Sequence, residues 1–219
     1  ALIYTSGTTG RPKGVMHSHA NDVAIAFNCV MEYSLTPGDR ALHIAPLYHV
    51  GGMQAWFLPH LTVGAANVLH EQYAAETTLA AVETEQITTL YAVPTQIVEM
   101  LHHPRFSQFN LRSLRLITTG GAAIAEATME RVVRELCPQV FNGYGMTEAS
   151  LTLLLHPRHA LERLGSCGKP TLISRCRLIR HEDAAAGDVS DDAGPDEVGQ
   201  LIVQGPQVTQ GYWNLPDES

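Results

Sequence analysis

The chain has 219 residues and a formal net charge of −8. That length buries a sizeable core and fits one large domain, or one domain with part of another, while the acidic balance offers no basic footprint for nucleic acid. Four cysteines, Cys29, Cys137, Cys167 and Cys176, form no C-x-x-C pair and match no zinc spacing, so reduced thiols in a cytoplasmic protein are expected. No apolar run reaches the roughly 20 residues of a transmembrane segment, and no leader pattern opens the chain. A start at "ALIYTSG" and a stop at "NLPDES" read as a piece of a longer polypeptide.

In chain order, "ALIYT" is a short β-prone segment that runs straight into a glycine-rich stretch, "YTSGTTGRPKG", Tyr4 to Gly14. Ser18 is placed to cap a helix in which Val23, Phe27, Val30 and Met31 fall at i, i+4, i+7 and i+8 on one apolar face. "TPGD" is a turn signal, "ALHIAPL" a strand ending at Pro46, and Met53 to Leu58 a helix. "AANVLH" is a strand, followed by a weakly patterned helix from Glu76 to Glu85. "ITTLYAVP" is a strand closed by proline, after which Thr95 opens a helix with Ile97, Val98 and Leu101 inward. "LRLITTGG" is a strand, Met129, Val132, Val133 and Leu136 mark the clearest helix, and "QVFNGYG" reads as strand then loop. The alternation predicts an α/β fold with a mostly parallel sheet and helices on both faces.

Beyond Leu164 the helical pattern stops. "LISRCRLIRHED" and "EVGQLIVQG" are strand-like, with Arg175, Arg177 and Arg180 on a solvated face, and the acidic, turn-rich "AAAGDVSDDAGPDE" between them is expected to be an exposed loop. We therefore expect an α/β unit over residues 1–164, including the loop 4–14, and the start of an antiparallel β-rich unit over 165–219.

Open parallel sheets bind ligands at the carboxyl ends of their strands. Four loops with unusual residues, "TSGTTGRPKG", "PLYHVGG", "TTGGAA" and "NGYGMTE", are expected to converge there. The first has glycines that admit close backbone approach, hydroxyls that donate to phosphate oxygens, and Lys13 as a mobile charge; the same composition also describes a plain surface loop. Its spacing is not the Gly-x4-Gly-Lys-Ser/Thr of the common P-loop. In "NGYGMTE", Tyr144 between two glycines can lie against a base, Thr147 can donate to a phosphate, and Glu148 is a hard ligand of the kind that holds Mg²⁺. The same residues also fit a helix start, with Thr147 as cap. "TTGGAA" is either a pocket floor or tight strand-to-helix packing. His49, among apolar and aromatic neighbours, suits a pocket for an acyl or aryl carboxylate. The histidine pairs His17/His19, His102/His103 and His156/His159 lack the spacing of a zinc helix and are assigned no metal.

"YTSGTTGRPKGVMHSH" resembles the phosphate-loop signature of the adenylate-forming enzymes, which include acyl- and aryl-CoA synthetases, luciferases and peptide-synthetase adenylation domains. "GYGMTE", "GSCGKP" and "GQLIVQGPQVTQGYWNLPDES" are similar to three further motifs of that family, in family order. The resemblance implies an AMP-forming acid–thiol ligase: a fatty or aromatic carboxylate attacks the α-phosphate of ATP, pyrophosphate leaves, and the thiol of CoA displaces AMP. It implies that Thr5, Ser6, Gly7, Thr8, Thr9, Gly10 and Lys13 hold the outer phosphates. Gly121, Ala122, Asn142, Gly143, Tyr144, Gly145 and Met146 would form the adenine side, with Tyr144 stacking. Thr147 would meet the α-phosphate, Glu148 would bind Mg²⁺, and His49, Val50, Gly120 and Gly121 would line the acid pocket, His49 joining Thr147 and Glu148 in the catalytic set.

Family members that activate amino acids carry an acidic residue in the loop that here reads Tyr48, His49, Val50. A buried ammonium without a partner is costly, so a plain carboxylic acid is expected. Asn142 stands where many members have Gln, and Gln200 where many have Glu. The family's N-terminal subdomain and C-terminal lid domain, with its lysine, lie outside these residues. The isolated chain is therefore expected to be nearly inactive. A catalytically inactive nucleotide-binding or regulatory member of the same fold is the alternative.

Overall fold

The computed structural model describes residues 1–5, 11–180 and 191–219. Ser6, Gly7, Thr8, Thr9 and Gly10, and the first part of the acidic loop, lie outside the described residues. β1 (Leu2–Thr5) pairs antiparallel with β2 (Lys13–Met16), Thr5 opposite Lys13. The first glycine-rich loop thus springs from a separate two-stranded hairpin, and not from a strand of the parallel sheet as expected.

α1 (His19–Tyr33) is capped by Ser18, whose Oγ accepts from Asn21 N at 3.1 Å while Asn21 Oδ1 accepts from Ser18 N at 2.8 Å. The expected inward stripe is wrong: Val23, Phe27 and Met31 are 53 %, 57 % and 65 % exposed. The helix carries a second stripe, Ile25, Cys29 and Tyr33, and this one is buried. It wins because Tyr33 packs edge-on against both Trp56 and Phe141, with ring centroids at 5.8 and 5.1 Å.

After β3 (Arg40–His43) comes one continuous helical stretch: α2 (Val50–Gly52), a π turn (Met53–Phe57) and α3 (Leu58–Thr62). It is longer than the expected Met53–Leu58. β4 (Ala66–Leu69), α4 (Ala75–Thr84), β5 (Thr89–Tyr91), α5 (Pro94–Leu101) and β6 (Leu116–Gly120) follow. α5 starts at Pro94 rather than Thr95, since proline's fixed φ and missing N–H suit the first helical position. α6 (Glu126–Arg131) passes into a second π turn, Val132–Leu136, and leads to β7 (Val140–Met146). β7 corrects another expectation, because "NGYG" continues the strand rather than forming a loop. No helix follows it. Residues 147–149 are a turn into β8 (Ser150–Leu155), which pairs antiparallel with β7. β8 escaped the sequence reading because "SLTLLL" is buried on both faces and shows no alternation.

β9 (Lys169–Pro170) completes a seven-stranded sheet ordered β4-β3-β5-β6-β7-β8-β9, parallel up to β7 and antiparallel beyond. α4, α5, α6 and the π turn after it bury Leu79, Val82, Ile97, Met100, Met129 and Val132 on one face; α1 and Trp56 cover the other. β10 (Arg175–Arg180) and β11 (Gly199–Gln204) form a separate antiparallel hairpin. Arg175, Arg177 and Arg180 are exposed on it, Arg177 bonding Asp192 at 2.8 Å. Beyond β11 the chain lies against β2: Gly211 O accepts from Met16 N at 3.0 Å and Trp213 N donates to Gly14 O at 2.8 Å.

Candidate nucleotide and acid site

β3, β6 and β7 run parallel, so the segments after His43, Gly120 and Met146 leave the sheet on one edge. At this edge a pocket enclosing about 70 Å³ lies between the helical layer, which supplies Tyr33, Ala55 and Trp56, and the sheet, which supplies Tyr91, Thr118, Gly120 and Gly143. His49, Val50 and Gly51 also line it. His49 Nδ1 accepts the Gly51 N–H at 3.0 Å, which leaves the imidazole proton of the neutral ring on Nε2 as a donor. The phenol of Tyr33 is held protonated, burial pushing its pKa well above the ordinary value.

Gly120, Gly121, Gly143 and Gly145 line the pocket, and Gly120 and Gly145 are also required by the packing of the strands. The close packing at these two glycines is strand against strand, and not strand against helix as expected. A Cβ on Gly120 would stand 2.5 Å from Gly143 O, and one on Gly145 2.1 Å from Ser150 O. The strands approach too closely there for any side chain. An outer groove of about 390 Å³, lined by Ala122, Ala123, Asn142 and Tyr144, shares Gly121, Gly143 and Gly145 with the inner pocket. Tyr144 is 39 % exposed in it. Asn142 Nδ2 donates to Ser166 O at 3.0 Å and ties the groove to the segment before β9.

Past the groove, β7 delivers Thr147 and Glu148 to a polar corner assembled from distant segments. His17 Nε2 donates to Thr147 O at 2.8 Å, Thr209 N to Glu148 O at 2.7 Å, and Tyr212 OH to Glu148 Oε1 at 2.6 Å. That bond to the carboxylate, then burial, pushes the Tyr212 phenol up to about 12. Lys13 Nζ lies 5.2 Å from the centre of the Tyr212 ring and pairs with Glu218. Thr147 Oγ1 and Glu148 Oε2 have no hydrogen-bond partner among the described residues. The free carboxylate oxygen of Glu148 is of the kind that fits Mg²⁺, which takes one or two carboxylates and fills its octahedron with phosphate and water.

The structure therefore brings Lys13, Thr147 and Glu148 into one region, and His49, Val50, Gly120 and Gly121 into another, with Gly121, Ala122 and Asn142 to Gly145 between them. Sequence reasoning missed the rings Tyr33, Trp56 and Tyr91 and the clamps His17, Thr209 and Tyr212. His17 was visible only as one histidine among many, and Tyr212 only as part of "GYW". Two other histidines are structural: His43 Nε2 bonds Asn67 Oδ1 at 2.7 Å, and His60 is held between Trp56 O and Thr89 Oγ1 at 2.7 and 2.9 Å.

An apolar pocket and a groove that share a glycine border, at the carboxyl edge of a parallel sheet, place the chain among α/β proteins with a ligand site at that edge. The chain belongs to the AMP-binding enzyme family, which it matches over residues 1–213. It is 37 % identical over 217 residues to a feruloyl-CoA synthase from Amycolatopsis sp, covering 99 % of this chain and 43 % of that relative. It is 36 % identical over 214 residues to an indoleacetate–CoA ligase from Aromatoleum aromaticum, covering 97 % of this chain and 40 % of that one. Among solved structures it resembles O-succinylbenzoate coenzyme A synthetase from Bacillus subtilis in complex with ATP and magnesium ion, with a TM-score of 0.85, 31 % identity, and coverage of 97 % of this chain and 42 % of that one. The chain thus spans less than half the length of these relatives.

Proposed function

We propose that this chain forms the central part of an ATP-dependent carboxylate–CoA ligase, with residues 1–164 as its nucleotide-binding unit and 165–219 as the start of a β-rich unit. The observation that carries this reading is the shared glycine border, Gly121, Gly143 and Gly145, between inner pocket and outer groove. An acid in the pocket and a nucleotide in the groove meet there without a side chain between them. The names of the relatives, a feruloyl-CoA synthase and an indoleacetate–CoA ligase, support an organic acid and CoA as substrates.

In this reading Tyr144 stacks on adenine and Asn142 with the Gly121–Ala122 backbone borders it. His49 Nε2–H orients the carboxylate toward the α-phosphate, and Thr147 Oγ1 donates to the oxygen that gains charge there. Lys13, with the hydroxyls of Thr5, Ser6, Thr8 and Thr9 and the backbone at Gly7 and Gly10, holds the departing pyrophosphate. Glu148 would hold Mg²⁺, which would supply neutralisation of phosphate charge. The carboxylate oxygen bonds to phosphorus as the bond to pyrophosphate breaks, and the CoA thiol, losing its proton, then takes the acyl group as AMP leaves. Positioning and charge neutralisation supply most of the rate in such a displacement. The four free cysteines support a reducing, cytoplasmic setting.

The test is ATP–pyrophosphate exchange by the complete polypeptide with a panel of fatty and aromatic acids, followed by product analysis. Acid-dependent exchange and formation of AMP with an acyl-CoA are expected. Nucleotide binding with no exchange for any acid would leave the inactive, nucleotide-binding alternative.

A further inference from the structure

At the buried side of the inner pocket, Tyr33 OH and Thr118 Oγ1 stand 3.2 Å apart, each residue 3 % exposed. The two hydroxyls own two protons and share a single hydrogen bond. Neither has a second partner among the described residues. Whichever donates, one O–H is left without an acceptor, an arrangement that costs about 1–3 kcal/mol unless something accepts it; among the other lining residues, Thr119 Oγ1 and Ser150 Oγ are also buried without a partner among the described residues. The neighbouring indole has no such vacancy, because Trp56 Nε1 donates to Leu42 O at 3.2 Å.

The shape of the chamber is equally specific. The rings of Tyr33, Trp56 and Tyr91 form a continuous chain, with centroids 5.8 and 6.3 Å apart. Across from the helical layer the sheet presents the flat backbone of Gly120 and Gly143. Aromatic rings facing bare backbone favour an aromatic group, which can meet them edge-on or offset.

We propose that the acid is a planar aryl acid bearing an oxygen on the ring edge remote from its carboxylate, and that the Tyr33–Thr118 pair selects it by donating to that oxygen. The orientation of the carboxylate toward His49 rests on the ligase reading; the ring slot and its donor do not. Pockets built around a hydrogen-bonding substrate group discriminate far more strongly than apolar ones, because the analogue lacking that group leaves the buried donor unpaired.

The test uses the complete polypeptide with 4-hydroxycinnamate, cinnamate and decanoate, measuring both pyrophosphate exchange and calorimetric binding. The wild type should favour 4-hydroxycinnamate over cinnamate by about tenfold or more in kcat/KM, and cinnamate over decanoate. Tyr33→Phe and Thr118→Val should each lower the hydroxyl preference, and the double variant should bring the ratio near one. Circular dichroism and the wild-type cinnamate-to-decanoate ratio check that the slot survives. A preference for decanoate, a hydroxyl preference that persists in the double variant, or no binding of any of the acids overturns the proposal. Selective binding without exchange supports the slot while removing the ligase reading. Exchange with no oxygen preference does the reverse.

Discussion

The inner pocket and the polar corner lie on the same sheet edge but are built in opposite ways. The pocket is an extension of the core. Tyr33 and Trp56 are 3 % and 1 % exposed, and their rings belong to the cluster that binds α1 to the sheet. The corner is assembled from chain segments far apart in sequence. Tyr212 reaches Glu148 across 64 residues and His17 reaches Thr147 across 130. Changes in the pocket should therefore register as stability together with specificity, whereas changes in the corner should register as chemistry with little loss of fold.

The largest effect belongs to the pocket. Trp56→Ala removes a fully buried ring and opens a cavity continuous with the pocket; aromatic truncations of this kind cost about 3–5 kcal/mol. Urea unfolding of the complete polypeptide should show that loss, and a loss below about 1 kcal/mol would mean the pocket wall is separable from the core. Lys13→Ala is the contrasting test. Its side chain pairs with the partly exposed Glu218, a contact of small worth for stability. Adenylate formation should nonetheless fall by roughly 10²–10³, the usual cost of removing one electrostatic stabiliser, while thioester formation from a supplied acyl-adenylate is spared. Equal loss in both half-reactions would remove Lys13 from the pyrophosphate end of the site.

A third effect reaches the core through pH. Burial brings His43 from 6.5 to about 4. The folded state therefore binds fewer protons than the unfolded chain between those values, so stability present above pH 6.5 is lost as pH falls toward 4. Asp39 titrates elsewhere. Burial alone would raise it, but hydrogen bonds from Arg115, Thr36 N–H and Thr88 outweigh that and bring it from 3.8 to about 2, so its contribution is lost only below pH 3.8. Wild type should lose about 2 kcal/mol between pH 7 and 4.5 that His43→Gln does not. Parallel unfolding curves for the two proteins would remove His43 as the source of the acid sensitivity and leave His60, whose pKa burial also lowers, as the core group to test.

The same contrast governs what was legible in the sequence. Apolar β-prone runs alternating with helical patterns revealed the parallel sheet, and the four glycine-bearing segments stood out by composition alone. Residues whose role depends on contact across the fold did not. α1 carries two apolar stripes, and periodicity cannot choose between Val23/Phe27/Met31 and Ile25/Cys29/Tyr33; the choice comes from Trp56 and Phe141, which lie elsewhere in the chain. "SLTLLL" hid β8 because burial on both faces erases alternation. Thr147 and Glu148 stood out in the sequence as candidate ligands, whereas the groups that bond them did not. An orienting contact such as Tyr212 to Glu148 leaves no local spacing.

Tyr212→Phe sharpens the comparison through the smallest change, one hydroxyl. The Tyr212 O–H donates to Glu148 Oε1 and leaves Oε2 for the proposed Mg²⁺. Removing it keeps the ring beneath Lys13 and leaves Glu148 partly exposed, so stability should fall by no more than about 1 kcal/mol. The carboxylate, however, gains a freedom it lacked, and a misdirected ligand weakens metal binding by about 10-fold or more when an orienting partner is lost. Adenylate formation should therefore need roughly tenfold more Mg²⁺ to reach half its maximal rate and recover at saturating Mg²⁺. A merely structural tyrosine would lower the rate at every Mg²⁺ concentration and leave the half-saturation point unmoved. That outcome would make the corner an extension of the fold like the pocket, and remove the distinction between them.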